Sequence, residues 1–306
     1  MIERKTCPEL DSGDVKARRD FLGWNLRIGY LRGIRYVSAA IVLIFASCSP
    51  AEITTYTSRF AQEQQFQLAS PAIQSEAIFF TDKNSIELDL GLAEAEIRYT
   101  LDGSEPVETA PLFTESIVLE KSTTLKTKAF HPQYLASKSV SAQFFKLNPQ
   151  LPIESVTLNR EPHANYLGTG ADGLVDRRKG TTNFRTDHWM GFAGGNVALS
   201  VNLAEPAPIK HLIISLLSDP NSWIFLPAAV EVYGGKSKNA INLLAQQAIE
   251  PTMENSPIAF HFANVSFAET SVKFLKVVIK SQSEIPAWHM GKGTPPWLFV
   301  DEVVIQ

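Results

Sequence analysis

Cysteine is nearly absent. The 306-residue chain has two, Cys7 and Cys48, and no thiol follows position 48. Everything beyond it is therefore without disulfide staples, thiolate-ligated zinc or a cysteine nucleophile, and is held by burial alone. Basic charge is scarce in the same region. Of 28 Lys and Arg, eight stand before residue 48, which leaves 20 against 27 acidic residues. A chain this acidic lacks the cationic surface that phosphate contacts demand, so nucleic acid is not an expected partner. Long apolar runs are missing too. The stretch Tyr36–Ser47 falls short of the roughly 20 residues that a membrane-spanning helix needs.

What stands at the amino-terminal end is ordered like an export signal. Arg32 and Arg35 precede the short apolar run, and small residues lead up to Cys48. A basic flank, a short apolar core and a small-residue break are the marks of a secretory signal. Phe45-Ala46-Ser47-Cys48 resembles a bacterial lipobox, with Phe45 where Leu is usual. That resemblance implies a lipid on Cys48, attachment to a membrane through it, and a place in the bacterial cell envelope. Residues 1–48 read as the signal segment. The polar stretch before Arg32 is long for such a segment, and no Met lies between Met1 and Met190, which points to a later, non-Met start codon. Residues 49–69, rich in Ser, Thr, Gln and Ala, read as a tether.

From residue 70 to 147 short alternating runs are separated by turn residues. Ile97, Tyr99 and Leu101 share one strand face, and Asp102-Gly103 marks a tight turn. Leu125, Thr127 and Ala129 alternate with Lys126 and Lys128, as in a strand with one wet face. A small fibronectin-III-like β-sandwich is expected. The runs IRYTLDGSEP, STTLKTKAF and SVSAQFFK resemble the sandwich that follows the catalytic barrel of chitobiases and β-hexosaminidases. There the module is a spacer, and Asp102, Ser104 and Glu105 are expected to serve a turn, not catalysis.

Asn148-Pro-Gln-Leu-Pro152 reads as a linker, and residues 152–306 as a second domain able to fold alone. Val197, Leu199, Val201 and Leu203 alternate with Ala198, Ser200 and Asn202, and residues 209–217, 228–233, 272–280 and 297–305 are β-rich. The expected fold class is all-β, with a jelly-roll sandwich that binds ligands in the loops at one end. The motifs LVDRRKGTTNFRTDHWMGF, WIFLPAAVEVYGG and IPAWHMGKGTPPWLFVDEVVI resemble the discoidin-like, galactose-binding-type domain that closes many family-20 β-hexosaminidases of Bacteroidetes-type bacteria. The resemblance implies a glycan partner of hexosamine or galactose type. The family's first motif opens on Asp-Gly, and here Arg177 replaces that Gly.

A sugar site wants a flat aromatic beside donors and acceptors. Trp288 and His289, in a loop rich in Gly and Pro, are the first candidates, followed by Trp189, Trp297, Arg185 and Asp187. Trp223 is expected to pack in the core. The discoidin likeness also implies a structural calcium. Asp176 matches the loop Asp of the motif, and Glu302 shares strand parity with Leu298, Val300 and Val304, so its carboxylate is expected to point inward and need a partner. The alternative is a pairing of Glu302 with Arg177, Arg178 or Lys179.

No enzyme is expected. Asp301-Glu302 offers the adjacent acid pair of a family-20 hexosaminidase, but neighbours on a strand face opposite ways, and no stretch before residue 70 is long enough for a catalytic barrel. The readings left are a membrane-tethered glycan-binding lipoprotein, an interaction protein whose jelly roll no longer binds sugar, and an orphaned accessory region of a hexosaminidase.

Overall fold

The computed structural model describes residues 66–306. Cys48, the signal segment and all but the end of the tether lie outside the described residues. The described chain is all-β, with two short 3-10 turns and two sandwiches in sequence. Among the described residues no helix is long and apolar enough to cross a membrane.

The first sandwich pairs a three-stranded sheet, β1 (Ala72–Ser75), β3 (Asn84–Asp89) and β5 (Ile117–Leu119), with a four-stranded one. The latter runs β2 (Phe79–Phe80), β7 (Val140–Lys146), β6 (Thr123–Phe130), β4 (Glu96–Thr100). Alternation on β6 is strict: Thr123, Leu125, Thr127 and Ala129 are buried and the residues between them are half-buried. Ile86, Leu88, Ile117 and Leu119 of one sheet meet Phe80, Ile97, Leu125 and Phe144 of the other. β4 ends at Thr100, so Leu101 leaves the ladder and is exposed, against the shared face expected for it. Beyond it Asp102 Oδ1 accepts from Ser104 N–H at 3.0 Å and Ser104 Oγ–H at 2.6 Å, and Gly103 adopts φ 80°. That cluster is a side-chain-closed turn.

The second sandwich is built on two 22-residue strands, β10 (Val197–Ser218) and β13 (Ala259–Lys280). Both bend from one layer into the other where their register shifts, between Asn202 and Ala207 and again between Ile209 and His211. Residues 197–202 pair with 274–279 and with β8 (Ile153–Leu158). On that layer β11 (Ala229–Ser237) and β12 (Ala240–Ala248) continue the sheet. Residues 211–218 pair with 259–266 and with β14 (Trp297–Ile305), and β9 (Met190–Ala193) closes that edge. Leu199 and Val201 of one layer and Leu212, Ile214 and Val300 of the other fall in one buried cluster. A jelly roll is the result.

The two sandwiches share a core. Phe79, Phe145 and Leu147 of the first pack with Ile213, Val304 and Phe262 of the second. The Phe145 and Phe262 ring centroids lie 4.9 Å apart, nearly edge to face. Asn148 N–H donates to Gln306 Oε1 at 3.2 Å, and Arg177 Nη1–H donates to Asn148 O at 2.7 Å. The Pro-marked stretch read as a linker is thus fastened on both sides of its start.

Candidate functional site

Three connections meet at one end of the jelly roll: residues 159–189, residues 219–228 and residues 281–296. The middle one is a tight turn. Trp223 N–H donates to Pro220 O at 2.9 Å, and Ile224 N–H to Asp219 O at 3.0 Å. β14 begins directly against it, with Trp297 N–H donating to Trp223 O at 2.9 Å and Phe225 N–H to Trp297 O at 3.0 Å. These bonds set Trp297 beside Asn221 and Ser222. From the first connection Tyr166 and Phe184 complete the wall, and a cleft of about 260 Å³ opens between them, lined also by Arg185 and Phe299. The aromatic wall is rigid. Tyr166 stands edge-on to Trp297 at 5.5 Å and to Phe299 at 4.9 Å, and Phe184 to Phe299 at 5.2 Å. Such contacts fix each ring without covering every face. The guanidinium of Arg185 lies 4.6 Å from the Phe184 ring centroid.

Of the six residues expected at a sugar site, Arg185 and Trp297 are brought together here. Trp189 is not. It is fully buried, its Nε1–H donates to Thr181 O at 2.8 Å, and its ring stacks on Phe260. A ring with no exposed face cannot stack on a sugar, so Trp189 belongs to the core. Gly180 permits this, since a Cβ there would lie 2.6 Å from the indole nitrogen. His289 is likewise occupied. Its Nδ1 accepts from Gly291 N–H at 3.0 Å, which leaves Nε2 to donate to Pro220 O at 3.0 Å. With both ring nitrogens used, His289 ties two loops together and has none for a ligand hydroxyl. Trp288 is 36% exposed and leans on Phe225, outside the cleft lining. Asp187 is also outside, paired with His188 Nδ1 at 3.1 Å. Trp223, expected in the core, is instead 37% exposed, with φ 64°. Gly291 makes its position possible, because a Cβ there would meet the indole at 2.9 Å. Tyr166, Phe184, Asn221 and Ser222 were not among the expected residues. Phe184 lies inside the first discoidin-like motif, and that was the one available signal.

The acid residues of β14 occupy a different place. A register shift opposite Ser215 and Leu216 makes Asp301 an extra residue and breaks the strand's alternation. Leu298 and Val300 therefore face the jelly-roll core while Val304 faces the first sandwich. The parity once expected to join Glu302 to all three fails, and Glu302 keeps step with Val304 alone. It is nonetheless fully buried, with the Arg177 backbone N–H and the Asp176 carboxylate near it but no well-formed hydrogen bond to either carboxylate oxygen. Burial, then the charges of Asp176 and Asp301, push its carboxyl up to about 9. Asp176 and Glu302 thus do meet. Asp176 Oδ1 accepts from Arg178 N–H at 2.8 Å, and Arg177 holds φ 64°, the left-handed backbone that a Gly would adopt more readily. None of Arg177, Arg178 and Lys179 forms an ion pair with Glu302. Lys179 pairs with Asp301 instead, Nζ to Oδ2 at 2.7 Å, where Gly180 N–H also donates at 2.8 Å. Burial pulls the Lys179 ammonium down and pushes the Asp301 carboxyl up, each opposed by the other's charge. The ammonium also lies beside the stacked Phe260 and Trp189 rings, 3.7 and 4.4 Å from their centroids. Because Asp301 and Glu302 are both sealed from solvent, no substrate reaches the adjacent acid pair.

Comparison with known proteins matches parts of the chain. A family model described as Fn3 associated matches residues 86–144, within the first. Curated proteins give no match. Solved structures with similarity to part of the chain include a pectin-binding carbohydrate-binding module (13% identity, TM-score 0.32, 51% of this chain and 92% of that one). Another is chitosan-binding module 1 from the chitosanase/glucanase of Paenibacillus sp. IK-5 (11% identity, TM-score 0.32, 50% and 93%). A third is the CBM32 module of AlyQ in complex with 4,5-unsaturated mannuronic acid (12% identity, TM-score 0.34, 52% and 98%). At this identity and overlap the likeness assigns no residue a role.

Proposed function

We propose that the protein binds glycans without chemically altering them, through the cleft between Trp297, Tyr166 and Arg185. One observation carries the reading: aromatic rings, a guanidinium, a carboxamide and a hydroxyl converge on a cleft of about 260 Å³ at the loop end of a jelly roll. That volume lies just under the range of pockets for drug-sized ligands, about 300–1,000 Å³, and suits a sugar residue better than a buried chain. Trp297→Ala should weaken binding of a recognised oligosaccharide by about 1–3 kcal/mol, the range of a modest hot spot, measured by calorimetric titration. Trp288→Ala, outside the cleft, should leave it nearly unchanged. Equal losses for both would move the site to the Trp288 loop. The kinship to hexosaminidase accessory regions belongs to the same proposal, as does a lipid on Cys48 that holds the protein at the bacterial envelope. Cys48→Ala should release the protein from the membrane fraction, since a diacylated cysteine is the anchor invoked. A variant that still sediments with membranes, beside a parent that takes up no labelled lipid, ends the anchor claim. A second reading, a partner protein as ligand, draws on the exposed Trp223, Trp288 and Met290. A glycan array without a single hit favours it.

The calcium implied by the discoidin likeness fits the carboxylates present. A buried Glu302 with two unpartnered oxygens next to Asp176 is the acid part of a hard-cation site. Among the described residues no third His, Cys, Asp or Glu joins them, so further ligands would be carbonyl oxygens. Calcium would supply the countercharge that Glu302 lacks. Without it the raised carboxyl of Glu302, about 9, keeps a proton that the unfolded chain loses near 4.5. The native state then binds more protons than the unfolded state across that window. Its contribution is complete below about pH 4.5 and declines as pH rises to about 9, by at most about 1.4 kcal/mol per pH unit. His211 and His261, pulled down by burial, act in the opposite sense. The difference between the parent and Glu302→Gln isolates the Glu302 part. In chelator that difference should slope with pH. With calcium the slope should flatten and the melting temperature rise by mass action. A melt indifferent to both chelator and calcium leaves Glu302 a neutral acid.

A further inference from the structure

We infer that the ligand of this cleft is an acidic sugar, recognised through its anion by Arg185. The inference rests on the glycan-binding reading and names the class of glycan. Arg185 is the one charged side chain lining the cleft, and among the described residues no carboxylate lines it. Its guanidinium has no ion pair and no hydrogen bond with any described residue, so five N–H donors remain for a ligand. The nearest acid in sequence, Asp187, is engaged by His188 at 3.1 Å.

The loop that carries the fork is held in place. Arg185 N–H donates to Asn183 Oδ1 at 3.2 Å, and Thr186 Oγ–H donates to Asn183 O at 3.1 Å, which closes the loop beneath it. The guanidinium carbon lies over the Phe184 ring, 4.6 Å from its centroid. Arg185 is exposed, so its planar guanidinium is open to a ligand and is matched to two coplanar or near-coplanar anionic oxygens. A ring carboxylate or a sulfate ester supplies them. A free amino sugar is disfavoured, because its ammonium would enter a site whose only charge is positive. Neutral sugars would use the same donors at about half the strength per bond. Trp297 and Tyr166 offer the ring faces against which the pyranose lies.

The test is a calorimetric titration of the purified protein with four oligosaccharide sets: a polyuronate, a sulfated galactan, a neutral galactan and a glucosamine oligomer. One or both anionic sets should bind at least about tenfold more tightly than the neutral one, as a charged hydrogen bond of 1.5 kcal/mol or more requires. The better anionic set identifies the anion. Raising the salt should weaken the anionic complexes and spare neutral ones. Arg185→Gln should cancel the preference, and Arg185→Lys should restore part of it, since charge returns without the fork. A preference for the neutral or amino sugar, or an anionic preference intact in Arg185→Gln, overturns this inference and leaves the glycan reading standing. Failure of all four sets to bind defeats both.

Discussion

Lys179→Ala should destabilise the protein by about 3–5 kcal/mol, the cost of leaving a buried charge without its partner. The side chains of Lys179 and Asp301 are 8% and 0% exposed, and the ammonium provides the one countercharge to a carboxylate sealed beneath β14. Its removal leaves Asp301 with the Gly180 N–H at 2.8 Å and an orphaned second oxygen. It also removes the ammonium from its place against the Trp189 and Phe260 rings. For a chain of this size the loss corresponds to a melting temperature lower by roughly 6–20 °C. Asp301→Asn removes the charge at the other end. The double variant Lys179→Met with Asp301→Asn should therefore lose less than the two single changes together, since a neutral pair of similar volume replaces an ionic one. A Lys179→Ala melt within about 1 kcal/mol of the parent would place the pair with exposed salt bridges and refute the account. Trp189 fluorescence reads the same event locally, because its ring loses the ammonium that lies 4.4 Å away.

That pair shows where sequence reasoning reaches its limit. Lys179 and Asp301 are separated by 122 positions, and no local pattern joins them. Local patterns did give the strand faces. The apolar faces at Leu125–Ala129 and Val197–Leu203 are buried where period-two spacing placed them, the residues between are half-buried except Ala198, which is buried, and Asp102-Gly103 is the turn its chemistry predicts. Period-two counting failed at β14, since it assumes an unbroken strand and the extra residue at Asp301 reverses the faces beyond it. It also missed that β10 and β13 are single bent strands, whose first or last halves lack clean alternation. Tryptophan gave least. Trp189 and Trp223 both sit in motif-like surroundings, yet one is sealed and the other exposed, because burial of a large ring is decided by which distant loops cover it. His289 stood out as a ligand candidate for its loop, and the loop itself consumes both of its nitrogens. Nor does any local pattern mark the cleft, since Tyr166 and Asn221 come from two connections and Trp297 from the start of β14, which only the jelly roll brings together.

Phe145→Ala should lower the stability of both sandwiches at once, by about 3–5 kcal/mol, as expected for an aromatic cut from a closed core. In sequence the first sandwich reads as a spacer and Asn148–Pro152 as a linker. In the structure Phe145 is 7% exposed, and its neighbours include Phe262, Ile213 and Val304 of the jelly roll. The last two are at most 1% exposed. They stay dry only while the first sandwich covers them. The intact protein should therefore melt in one cooperative transition, and residues 152–306 alone, with that surface uncovered, should melt earlier and bind a hydrophobic dye. Leu125→Ala provides the comparison. Leu125 is fully buried in the core of the first sandwich and touches none of the shared cluster. If the sandwiches are coupled, it too should bring down the whole transition, whereas an independent spacer would unfold alone and leave the jelly-roll melt in place. Phe145→Ala, which cuts the coupling itself, should broaden or split the transition beyond what Leu125→Ala does at equal loss of stability. Two separate transitions in the parent protein would restore the spacer reading and reduce the Phe145–Phe262 contact to a surface touch.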